Sequence, residues 1–108
     1  MAGRTLEFMA DMQRLRKKPD CDFTGLVAGS VGYLKAKFYF SQEWRGCTKV
    51  VTFWFGEDGQ VSLVLDKDNS CIIPSEALKE NAFYVSVLGG KPAYRLKTNK
   101  IKVRPEVN

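Results

Sequence analysis

The chain has 108 residues, of which 44% are hydrophobic and 27% charged, and it carries a net charge of +5. That length and composition fit one folded domain, residues 1–108, with a buried core, and they exclude a disordered chain. No apolar run reaches the roughly 20 residues that a membrane-spanning helix needs, and the opening residues Met1 to Leu6 contain no apolar signal region. The expectation is a protein free of membrane, acting in a cytoplasm.

Leu6, Phe8, Ala10 and Met12 alternate with polar residues, which predicts a first strand. Gln13 to Asp20 is polar and basic and is expected to continue as an edge strand or a loop. Gly29-Ser30 signals a turn, and Val31 to Ser41 is the clearest strand, with Leu34, Ala36, Phe38 and Phe40 on one face. Ser41 to Gly46 reads as a connection that folds Trp44 back onto the core. Lys49 to Phe55 and Gln60 to Leu65 are two strands joined by a hairpin at Gly56-Glu57-Asp58-Gly59. Asp66 to Ser70 has turn composition. Cys71 to Ile73 is a short strand stopped by Pro74, and Pro74 to Glu80 is expected to form a short helical turn. Ala82 to Leu88 is a strand, Gly89-Gly90-Lys91-Pro92 a turn, and Ala93–Leu96 and Lys100–Arg104 form a last hairpin. About seven or eight short strands with turn signals between them predict an all-β fold, a small antiparallel β-sandwich.

The residue types limit the chemistry. With no histidine, the commonest general base and metal ligand is missing, and Ser-His and Cys-His nucleophiles are ruled out. Cys21, Cys47 and Cys71 form no Cys-x-x-Cys pair, so no zinc site is expected, and reduced thiols packed as small apolar groups are. Asp66-x-Asp68-x-Ser70 has part of a calcium-loop pattern but lacks its glycine and distal glutamate, which leaves a solvated turn. Gly89-Gly90-Lys91 lacks the spacing of a phosphate loop. The expectation is a non-enzymatic chain with no catalytic residue, no metal and no cofactor.

Two surfaces are candidates for binding. Tyr39 and Trp54 fall opposite the apolar faces of their strands, with Tyr33 near a strand entrance, and exposed aromatics of this kind suit a protein interface. The C-terminal stretch is basic. Lys100, Lys102 and Arg104 line one strand and Arg95 and Lys97 its neighbour, while Tyr94 is placed to stack on a nucleic-acid base. The same lysines also suit an acidic protein partner, or an edge strand guarded against aggregation.

Several phrases follow one another in a telling order: Val27 to Phe38, Phe40-Ser41-Gln42-Glu43-Trp44-Arg45-Gly46, Cys71 to Leu78, Phe83 to Gly90 and Leu96 to Lys100. The order resembles small β-rich proteins and domains of phages and prophages of Gram-positive bacteria, of the tail, baseplate or fibre-module type. The resemblance implies an immunoglobulin-like or related sandwich and brings no catalytic residue. It implies a virion component that binds another virion protein or itself, in the host cytoplasm or within a particle. Two alternatives stay open: a phage inhibitor of a host defence nuclease, of the anti-CRISPR type, and a basic nucleic-acid-binding domain.

Overall fold

A computed structural model describes residues 3–27, 29, 31–79 and 81–105. Ser30 of the expected turn, Glu80 at the end of the expected helical stretch and Glu106 lie outside them. The described residues form nine strands: β1 (Arg4–Asp11), β2 (Arg14–Lys17), β3 (Leu34–Phe40), β4 (Thr48–Phe55), β5 (Gly59–Val64), β6 (Ser70–Ile72), β7 (Phe83–Lys91), β8 (Tyr94–Lys97) and β9 (Ile101–Val103). Two 3-10 turns accompany them, at Gln42–Trp44 and Ala77–Lys79. No helix among these residues is long and apolar enough to cross a membrane.

The strands form two sheets, ordered β2-β1-β3-β6 and β5-β4-β7-β8, with β9 also paired to β7. Their inner faces share one core. Leu6, Phe8 and Phe38 come from the first sheet and Val51, Phe53, Phe83 and Val85 from the second. Alternation along β3 and β7 buries every second residue, as in a sheet with one dry face. The all-β sandwich is therefore what the apolar pattern builds.

Four features define the fold; the first, third and fourth depart from the expected elements, and the second, Trp44 folded back onto the core, agrees with them. First, β1 and β3 run parallel, with Phe8 beside Phe38. The connection between β2 and β3, which lie on opposite sides of β1, makes this parallel pairing possible. Leu26 of this connection is buried, and the Arg4 guanidinium holds it by donating to the Asp22 and Thr24 carbonyls at 2.8 and 2.7 Å. Second, the Ser41–Gly46 connection contains a 3-10 turn and seats Trp44 in the core, where its indole N–H donates to the Met12 carbonyl at 2.7 Å.

Third, β7 does not stop at Leu88. It runs through Gly89 and Gly90 to Lys91, and the turn falls at Pro92-Ala93, with Ala93 at φ 62°. Gly89 belongs in the strand because the Trp44 ring lies against it: a Cβ there would stand 2.6 Å from the ring. Fourth, the two C-terminal strands are not a hairpin. Both pair with β7, β8 alongside Leu88–Lys91 and β9 alongside Phe83–Val85. Lys97 faces Leu88 and Ile101 faces Val85, so three residues on the edge strand span two on β7. That is a β-bulge at 98–100 in a single edge strand. Thr98 is buried at the bulge and its hydroxyl accepts the Val87 N–H at 2.9 Å. Asn99 swings across to β2, accepting from the Leu15 N–H at 2.8 Å and donating to the Leu15 carbonyl at 3.2 Å. This contact closes one side of the sandwich.

Candidate functional site

The outer face of the second sheet carries three rows of side chains, fixed by strand register. Gln60, Trp54, Tyr84 and Lys102 make the first row, across β5, β4, β7 and β9. Ser62, Thr52 and Ser86 make the second. Val64, Val50, Leu88 and Lys97 make the third, with Val64 66% exposed.

Trp54 lies on this face as an anchored platform. Its indole N–H donates to the Ser86 hydroxyl at 2.9 Å, and the Lys100 ammonium stands 3.7 Å from its ring centroid. Lys102 sits 5.9 Å from the Tyr84 ring. The bulge makes this arrangement possible. Lys97 points outward before it, and the extra residue shifts the alternation so that Lys100 and Lys102 also point outward while Ile101 and Val103 turn inward. Beside Trp54 the β4–β5 hairpin borders a cleft of about 390 Å³, lined among others by Glu57, Asp58, Tyr84 and Lys100. Arg95, exposed beside Gly90, and Arg104, exposed just past β9, extend the basic edge. Among the described residues the one ion pair is Lys18–Asp20. Arg95, Lys97, Lys100, Lys102 and Arg104 therefore make no direct ion pair with a described carboxylate, with Glu57 and Asp58 as the acidic residues lining the Lys100 cleft.

The first sheet treats its outer aromatic differently. Tyr39 donates its hydroxyl to Glu7 at 2.7 Å, and the Lys18 and Lys37 ammonium groups stand 5.5 and 5.7 Å from its ring. The Glu7 carboxylate that accepts this phenolic hydrogen bond holds the Tyr39 pKa above its usual value. Lys18 in turn pairs with Asp20.

The structure thus separates some expected site residues and joins others. Tyr39 and Trp54 lie on the outer faces of different sheets and cannot form one patch. Trp54 instead joins Lys97, Lys100 and Lys102, so the aromatic and basic surfaces are one surface. Tyr94 faces away from it: its hydroxyl donates to the Glu43 carbonyl at 3.0 Å, and Lys91 covers its ring at 4.7 Å. Tyr33, half-exposed, lies against Gly3 where β1 and β3 begin. Tyr84 is absent from the expected set. Its alternation with Phe83 and Val85 places it on an outer face, but only the β4–β7 register sets it beside Trp54.

The remaining reactive groups serve the fold. Burial, with a smaller contribution from Asp66, pushes the Cys71 thiol up to about 12, so it stays protonated and non-nucleophilic at neutral pH. None of the three cysteines is disulfide-bonded, and the Cys21 sulfur accepts from the Glu7 N–H at 3.3 Å. Asp66 closes its own turn, accepting from the Asp68 and Ser70 backbone N–H groups at 2.9 and 3.1 Å. The Ser70 N–H bond is the main reason its carboxyl titrates below the usual range. No protein-family model matches this chain, and comparison with curated proteins and with solved structures returns no match.

Proposed function

We propose that this chain acts by binding a protein, as a structural or accessory module of a phage particle, and that the outer face of its second sheet makes the contact. The observation that carries this reading is Trp54, hydrogen-bonded to the sheet and capped by Lys100. A large side chain fixed before binding loses little conformational freedom on docking, and tryptophan is among the commonest interface hot spots. The aliphatic row of Val64, Val50 and Leu88 adds apolar area. Arg95, Lys97, Lys100 and Lys102, which make no direct ion pair with a described carboxylate, suit a partner with an acidic rim. The likeness to tail and baseplate modules supports the phage setting, with action in the host cytoplasm or within the particle.

A direct nucleic-acid role is the second reading, because lysines next to Trp54 and Tyr84 are also what single-strand binders present. One observation weighs against it. Lys100 occupies a face of the Trp54 ring, so a base stacks there only after that ammonium leaves.

Calorimetric titration against the proteins encoded by neighbouring genes tests the proposal. Binding by one of them is expected to weaken by about 30-fold or more with Trp54→Ala, the effect of losing a roughly 2 kcal/mol hot spot. Absence of binding to all of them, or binding indifferent to Trp54→Ala, overturns it. Titration with an oligothymidine at low and high salt tests the second reading, which requires affinity that falls steeply with salt.

A further inference from the structure

The four strand positions at the sheet edges are protected unequally. β2 carries Arg14, Arg16 and Lys17, and its Leu15 backbone is bonded by Asn99. β6 has only three residues and ends just before Ile73-Pro74. The β8–β9 edge is bulged and carries Arg95, Lys97 and Lys102. Charges, brevity and bulges are the usual devices that stop a sheet edge from recruiting another strand. β5 has none of them. Its six residues, Gly-Gln-Val-Ser-Leu-Val, include no charge and no proline, and among the described residues it pairs only with β4.

The unused backbone groups of β5 can be identified. The Leu65 N–H donates to the Lys49 carbonyl at 2.9 Å, just past the strand. In an antiparallel ladder the residues that bond a given neighbour alternate, so Leu63 and Val61 also face β4. The N–H and C=O groups of Gln60, Ser62 and Val64 therefore point away from the sheet, and no protein partner meets them among the described residues.

We infer that β5 is a self-pairing edge, and that its occupant is the β5 strand of a second copy of this chain, antiparallel and centred on Ser62. Three observations favour a second copy. In this register Ser62 opposes Ser62, Gln60 opposes Val64, and Val61 opposes Leu63, so no like charges meet within the strand, and the one like-charged pair, Asp58 with Asp66, falls beyond its ends. Val61 and Leu63 are half-buried at the core rim, and the pairing covers both. The excess positive charge of the basic edge is remote, because Arg95, Lys97 and Lys102 lie on the opposite edge of the sheet. A two-fold axis through the Ser62 pair keeps both outer faces on the same side. Each aromatic row then runs into the aliphatic row of the other copy, Trp54 and Gln60 leading to Val64, Val50 and Leu88. The dimer therefore presents the proposed binding face twice on one continuous surface, although the pairing itself uses neither Trp54 nor Lys100.

An edge of six residues a side buries less than a standard interface, so the affinity is expected to be about micromolar or weaker. Sedimentation velocity over a concentration series is the test. The mass should rise from 12.2 kDa toward twice that value as concentration approaches roughly a millimolar. Ser62→Pro removes a donor that β4 does not use, and should abolish the rise. Ser62→Lys sets two ammonium groups opposite each other and should abolish it as well. Ser62→Glu alone should also be monomeric, while an equal mixture of the S62K and S62E variants should dimerise. A wild-type chain that stays monomeric throughout overturns the inference. So does a dimer that persists in the folded S62K variant, or an S62K and S62E mixture that stays monomeric. Self-association without any protein partner would remove the earlier proposal and leave this one, and the reverse result would remove this one alone.

Discussion

The two outer faces of this sandwich are built from the same residue types and end in opposite states. On the first sheet, Tyr39 gives its hydroxyl to Glu7, and Lys18 has Asp20 beside it. On the second, Trp54 and Tyr84 face Lys100 and Lys102 with no carboxylate paired to either lysine among the described residues. An aromatic residue beside a lysine is thus not in itself a binding feature. The difference lies in the pairing around the rings: one of the two lysines over Tyr39 has a carboxylate paired to it, and neither lysine over Trp54 and Tyr84 does. A lysine already paired with a carboxylate gains little from a partner, whereas an unpaired one gains Coulomb energy from an acidic partner.

The two tryptophans sharpen the contrast most. Trp44 is fully buried and touches both the β7 backbone and the Met12 carbonyl. Trp44→Ala is expected to cost about 3–5 kcal/mol, read by denaturant unfolding. Gly89→Ala drives a methyl group into the same ring and should cost about 1–3 kcal/mol. Trp54→Ala loses one hydrogen bond and one cation–π contact, about 1–2 kcal/mol, while removing the proposed hot spot. Stability and binding should therefore separate at Trp54 and not at Trp44. Smallest of all is Tyr39→Phe, which removes one exposed hydrogen bond to Glu7. It should shift the unfolding midpoint least of the four and leave partner binding intact.

The pH dependence follows from groups with no part in the second face. Asp20, Asp22, Glu43 and Asp66 are held below their usual values, Asp20 chiefly by Lys18 and Asp66 by the Ser70 N–H. Their stabilisation is present above the unfolded pKa values and is lost as pH falls through the folded ones. Tyr39 and Lys18 are raised, by Glu7 and Asp20 respectively. Their stabilisation is present below about pH 10 and is lost as pH rises through the folded values. Thermal unfolding across pH should show a plateau between about pH 5 and 9; its alkaline limb is set mainly by the buried Cys71 thiol, whose stabilisation is lost as pH rises from its ordinary 9.0 toward about 12, and Tyr39→Phe should soften that limb only slightly.

Much of the fold is legible in the residue pattern, because burial on a sheet follows a period of two. Leu34, Ala36 and Phe38, then Val51 and Phe53, then Phe83, Val85 and Val87 announce their inner faces directly. Alternation says which residues share a face, but not which strand lies alongside. Nothing local to Tyr39 or Trp54 reveals that their strands join different sheets, or that β1 and β3 run parallel. Gly89-Gly90 has turn composition, yet Gly89 answers to a ring that arrives from position 44. The bulge is also hidden, since its causes, Thr98 bonding Val87 and Asn99 bonding Leu15, are contacts with other strands. The candidate site is half legible: Trp54, Lys97, Lys100 and Lys102 stand out singly, and their meeting depends on the bulge.

The central claim is that the second sheet's outer face, and not the first's, meets the partner. The most direct measurement is one calorimetric series in which a neighbour-encoded virion protein is titrated into wild type, Trp54→Ala and Tyr39→Ala. The account predicts a loss of about 30-fold or more for Trp54→Ala and unchanged affinity for Tyr39→Ala. Equal losses, or a loss confined to Tyr39→Ala, would contradict it.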